Sequence, residues 1–220
     1  LFYLIYIFIS LVIVCTWVLL PFFTLTIFLT IASHHFGKED SVFGKIKRFK
    51  LHDLFLFSKG SLVILAPLCF HTYETIQIFE ILDIEFNQLD INLIIVLMFL
   101  SLISNFFVNK NIFLSLLDSL TIIILNINFE PLLAFTIYFC FLHSIRHSLL
   151  WSSKLLGKTK NSLNEFLIKS FPLTLITALL FIIGVYLLYL FESFLYVHII
   201  LVTFVGLASL TFPHILLEYL

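Results

Sequence analysis

Five histidines stand at the ends of long apolar runs, where an ionisable side chain is costly unless it faces the protein interior. His34 and His35 lie in Ser33-His34-His35-Phe36-Gly37-Lys38-Glu39-Asp40, His143 and His147 in Phe139-Cys140-Phe141-Leu142-His143-Ser144-Ile145-Arg146-His147, and His214 in Thr211-Phe212-Pro213-His214. His143 and His147 are at i and i+4, so on a helix both imidazoles occupy one face about a turn apart and can bind one metal ion. One such pair is a weak signal, since two histidines can equally cap a helix end or bond to nearby carbonyls. His35 at the same depth turns the pair into a candidate three-nitrogen set. Imidazole suits iron, zinc and copper, and a nitrogen set without thiolates is compatible with non-haem iron that keeps positions open for dioxygen. At this point the metal stays open.

The remaining polar residues are weighed against blander roles. His71 and Glu74, at i and i+3 inside another apolar run, share a helix face; His71 can bond to Glu74, orient a ligand or add a further one. Asp40 is placed to accept the free ring N–H of a ligating histidine, or is a plain surface charge. His34 points about 100° away from His35 on a helix and reads as its helix-end neighbour. His52 and His198 are isolated. Tyr138 and the many Phe residues pack against lipid or other helices, although the same residue types would line an apolar tunnel.

These groups must be positioned by helices in a bilayer. Residues of the AVILMFWYC set make up 61% of the chain and DEKR only 11%, against roughly half and a quarter in a soluble domain. Apolar runs near 1–20, 22–36, 60–82, 91–108, 112–125, 131–150, 172–191 and 195–217 have span length and lack strand alternation. The expected fold is an all-α polytopic transmembrane bundle of seven or eight helices, forming a single domain over 1–220. The 112–125 run is short enough to be re-entrant, and Pro21 separates the first two helices.

Lys38, Lys45, Lys47, Arg48, Lys50 and Lys59 in 37–59, and Lys154, Lys158, Lys160 and Lys169 in 151–170, mark two cytoplasmic loops. With the acidic connections opposite, this topology brings all three histidine-bearing helix ends to the cytoplasmic side. The lysines are assigned to topology and anionic-lipid contact. A net charge of −1 offers no basic stripe for nucleic acid. Cys15, Cys69 and Cys140 have no CxxC spacing and read as small buried residues. The chain opens on Leu1 without a signal-peptide pattern, and an N-terminal segment is expected to precede it.

Three segments together resemble the Brp/Blh membrane proteins, the bacterial and archaeal β-carotene 15,15'-dioxygenases. The segment Ser33 to Asp40 is similar to the family's HFGxxD, Pro131 to His147 to its Pro-rich start, YFC and HSxRH, and Thr211 to His214 to its terminal TxPH. The resemblance implies cleavage of the central double bond of β-carotene by O2 to two all-trans-retinal molecules at Fe(II). It implies His35, His143 and His147 as iron ligands and His214 as a ligand or a residue supporting one. It further implies a multi-pass protein of the cell membrane, drawing its substrate from the lipid bilayer and linked in function to a retinal-binding rhodopsin. The family's Pro-His-Gly histidine has no counterpart before His34, which agrees with a missing N-terminal helix; otherwise His71 or His214 must substitute. Two other readings compete. A histidine-box hydroxylase or desaturase expects HxxHH, which is absent, and a non-catalytic helper would bind metal or retinal for an opsin without oxygen chemistry. A transporter would call for paired, broken midplane segments, which the sequence lacks.

Overall fold

The computed structural model describes residues 2–41, 51–85, 89–108, 111–156, 162–190 and 194–219. Every regular element among them is helical: α1 (Phe2–Leu19), α2 (Pro21–Glu39), α3 (His52–Gly60), α4 (Leu62–Phe70), α5 (Thr72–Ile81), α6 (Ile91–Val108), α7 (Ile112–Asn128), α8 (Pro131–Ile137), a π-helical turn (Tyr138–His143), α9 (Ser144–Leu156), α10 (Ser162–Tyr189) and α11 (Leu195–Tyr219). Five continuous segments among the described residues are long and apolar enough to cross a membrane: His52–Phe70, Ile91–Val108, Pro131–Leu150, Asn164–Tyr189 and Leu195–Leu216. Leu4–Leu19 and Ile112–Asn128 are apolar but shorter. The protein is thus a multi-pass helical membrane protein.

The exposed surface is what a bilayer demands. Val18, Phe113 and Ile168 are each at least 70% exposed, and α10 presents large apolar side chains along most of its length. Serines and threonines on such faces satisfy themselves locally: Thr26, Thr30, Thr121 and Thr136 each donate to the carbonyl four residues earlier, at 2.7–2.8 Å. That keeps hydroxyls tolerable where water is absent.

Several boundaries differ from the sequence reading. The third apolar run does not begin at residue 60: α3 starts at His52, so part of the expected 37–59 loop is helix, and Lys59 lies inside it. The run breaks at His71, whose backbone leaves helical geometry at φ −135° and ψ 53°. Pro67 stands one turn earlier, and its carbonyl accepts both the His71 N–H at 2.8 Å and the Thr75 hydroxyl at 3.1 Å. Helix α10 begins at Ser162 instead of near 172. The cysteines also depart from expectation, with Cys15 and Cys140 exposed and Cys69 half-buried. The basic residues Lys45, Lys47, Arg48, Lys50, Lys158, Lys160 and Lys110 lie outside the described residues.

The helices gather into two compact units. The first comprises 1–20 and 145–220; in it α1 and α10 both pack on α11, and the Tyr6 hydroxyl donates to the Leu210 carbonyl at 2.7 Å. The second comprises Pro21–Ser144. There α3 packs between α2 and α6, and α4 lies against α5, α6 and α7, around a core that includes Leu25, Phe28, Leu56, Leu62, Ala66 and Met98. Asn105 joins α6 to α7, accepting from Ser115 at 2.6 Å and donating to Ser119 at 2.9 Å, the sort of polar glue that apolar surfaces in lipid cannot supply.

Candidate metal centre

In the Pro21–Ser144 unit the site is built where the polar end of α2 meets the π-helical turn. Two glycines permit the first step. A Cβ on Gly37 would overlap the Leu56 carbonyl oxygen, and one on Gly60 would overlap the Ser33 carbonyl oxygen, so α2 and α3 cross backbone against backbone. Between this crossing and the π-helical turn, the end of α2 buries Ser33, His35, Phe36 and Glu39, with Asp40 and Ser41 beyond them.

The π-helical turn supplies the second step. In a regular α-helix residues five apart diverge by about 140°, whereas the wider i→i+5 turn brings them back towards one face. Tyr138 and His143, the first and last residues of the turn, are therefore both buried. The ring centres of His35 and His143 lie 5.5 Å apart. Phe36 meets His143 edge-on at 4.9 Å, Phe139 stacks on it at 5.5 Å, and Tyr138 lies 6.3 Å away. Both imidazoles are about 95% buried, His35 at 5% and His143 at 6% exposure.

Behind the rings runs a buried polar network. The Tyr138 hydroxyl donates to the Asp40 carboxylate at 2.8 Å. The Lys59 ammonium donates to the Asp40 carbonyl and to the Ser41 hydroxyl, each at 3.3 Å, and Ser41 donates to the Gly37 carbonyl. Asp40 is accordingly no surface charge. Lys59, assigned from sequence to topology alone, and Tyr138, read as packing, both belong to this network. The one sequence cue to Lys59 is its place between small residues, Ser58 and Gly60, at the mouth of an apolar run.

In the unit made of 1–20 and 145–220, His147 of α9 and His214 of α11 bring their rings to 5.2 Å in an edge-to-face arrangement. Each unit thus brings two of the four motif histidines together. His71 and Glu74 approach to 4.0 Å at the break between α4 and α5. His34 turns instead towards Asp53, at 3.8 Å, in keeping with its reading as a neighbour of the site. His52 opens α3, and His198 is buried within α11.

The donor chemistry of each pair fits part of a metal's coordination sphere. Two imidazoles on one ion, each nitrogen about 2 Å from it, have ring centres roughly 4.5–5.5 Å apart, and both pairs fall in that range. Among the described residues no three His, Cys, Asp or Glu side chains converge on one point, so each unit provides two nitrogens.

Fold and site together define the class: a multi-pass helical membrane protein with paired imidazoles among aromatic rings. The chain belongs to the beta-carotene 15,15'-dioxygenase family, whose model matches residues 1–220. The resemblance read from the three histidine segments is borne out by that match. No curated protein and no solved structure matches the chain.

Proposed function

We propose that this protein cleaves the central 15,15' double bond of β-carotene with O2, giving two molecules of all-trans-retinal. The observation that carries the reading is the meeting of His35 and His143, from two separate family-like segments, as buried rings 5.5 Å apart. In the reaction the double bond breaks and one oxygen atom goes to each of its carbons; the four electrons the two carbons lose reduce O2, so no other reductant is required.

His35 and His143 are the residues of the Pro21–Ser144 unit that would hold Fe(II), and His147, with His214 beside it as a further ligand or support, is the candidate ligand of the other unit. Bound there, Fe(II) would supply the redox-active centre that O2 needs in order to react with a closed-shell alkene. The protein's own part is binding and exclusion. Phe36, Phe139 and the ring of Tyr138 give His143 apolar walls that suit a hydrocarbon and keep water from the reacting carbons. A substrate dissolved in lipid reaches such a site sideways, between helices whose outer faces are apolar. We place the protein in the cell membrane, upstream of a retinal-binding rhodopsin.

The test is retinal yield in β-carotene-accumulating cells expressing the gene from its natural start. Wild type should form retinal, and His35→Ala and His143→Ala should lose it together with bound iron while still inserting in the membrane. Full retinal formation by both variants would overturn the site assignment. Metal or retinal binding with no cleavage by the wild type would favour the opsin-helper reading.

A further inference from the structure

Lys59 is a cation buried to 4% exposure inside a segment long and apolar enough to cross the membrane. Lysines near helix ends in membranes ordinarily extend their ammonium to the interface. Here the ammonium turns inward, to the Asp40 carbonyl and the Ser41 hydroxyl. Those groups sit just past the C-terminal end of α2, where unsatisfied carbonyls favour a positive charge. Two carboxylates, Glu39 and Asp40, are buried at the same turn, and a carboxylate is held charged away from water only beside compensating charge and donors. The chain of contacts continues outward. Asp40 receives the Tyr138 hydroxyl, and Tyr138 flanks both Phe36 and His143. In the other direction the Lys59 carbonyl accepts from Ser101 of α6 at 3.3 Å, which ties this arrangement to the core of the unit.

We propose that Lys59 is a positioning residue for the histidine pair: its ammonium anchors the end of α2 so that Asp40 holds Tyr138, and Tyr138 holds His143 opposite His35. The role rests on the metal-site reading above, and deepens it by naming what fixes the distance between the two imidazoles. Removing the ammonium while keeping the stem leaves α2 and α3 in contact through Gly37 and Gly60, yet frees the terminal turn to shift. A shift of the Asp40 carboxylate then releases Tyr138 and, through it, the ring of His143.

The experiment uses the purified full-length protein, stripped of metal and loaded with Co(II), whose visible ligand-field bands report the geometry of its nitrogens without any turnover. Lys59→Met, Asp40→Asn and Tyr138→Phe are compared with wild type, each checked for monodispersity in detergent. The expected result is a shifted Co(II) spectrum and at least tenfold weaker Co(II) binding in Lys59→Met. In the iron enzyme kcat should fall while KM for β-carotene is unchanged, and the double variant Lys59→Met with Tyr138→Phe should be no worse than Lys59→Met alone. If Lys59→Met does not fold, Ser41→Ala, which deletes one of its acceptors, should give a smaller shift of the same sign. A wild-type spectrum and affinity in Lys59→Met, or in Ser41→Ala where Lys59→Met fails, overturns the proposal. Failure of the wild type itself to bind Co(II) would overturn the metal reading and this inference with it.

Discussion

Two histidines one residue apart in sequence do different things here. His35 faces inward against Phe36 and His143, while His34, about 100° around the helix, faces Asp53 on the other side. Substituting His34 by Ala should therefore leave iron content and retinal yield within about twofold of wild type, as for changes away from packed features, whereas His147→Ala should abolish both. Iron analysis of the purified variants beside retinal quantification separates the two cases, and equal losses would refute the division. Tyr138→Phe removes a buried donor to a carboxylate. Hydrogen bonds to charged groups contribute about 1.5–3 kcal/mol, so unfolding in mixed detergent should show a loss of that size, and an unchanged midpoint would mean that Asp40 finds another donor at no cost.

At the scale of elements, the crossing of α2 and α3 is the feature most sensitive to a single methyl group. Gly60→Ala must displace the Ser33 carbonyl, which is backbone and cannot yield without moving the helix; overpacking of this kind costs about 1–3 kcal/mol or more. Gly206 in α11 is a built-in control, because nothing lies within 4 Å of a Cβ placed there. Gly206→Ala should be neutral or stabilising by up to about 1 kcal/mol from helix propensity. Thermal stability of the two alanine variants in the same detergent checks the contrast, and similar values for both would argue against a backbone-to-backbone crossing. The π-helical turn belongs to this scale too. It puts Tyr138 and His143 on one side, an arrangement that 3.6-residue periodicity does not foretell.

For the whole molecule, the solvent is the bilayer. Exposed apolar side chains such as Leu4, Phe8, Val18, Phe171 and Tyr196 would each cost on the order of 1–3 kcal/mol in water, and in lipid cost nothing. The protein should accordingly stay in the membrane pellet through alkaline carbonate washing and be released only by detergent; recovery in the aqueous wash would contradict the five spanning segments. Within this apolar exterior the His35–His143 pair and the Lys59 network are buried in the Pro21–Ser144 unit.

Membrane residence, helical class and the histidine segments were legible in the sequence because each depends on local information: the length of an apolar run, or residue types a few positions apart. The histidines that form the pairs were all singled out in that way. What stayed illegible depends on contacts between distant residues. Lys59 looks like one more loop lysine until α3 begins at His52 and packs its glycine on that of α2. Asp40 looks like a loop charge until Tyr138 reaches it from another helix. Spacing singled out His143 and His147, whereas only the tertiary structure sets His35 opposite His143 within one unit and His214 beside His147 within the other. A helix fixes only the angle between its own side chains; which imidazole comes to lie opposite is decided by the neighbour packed against it.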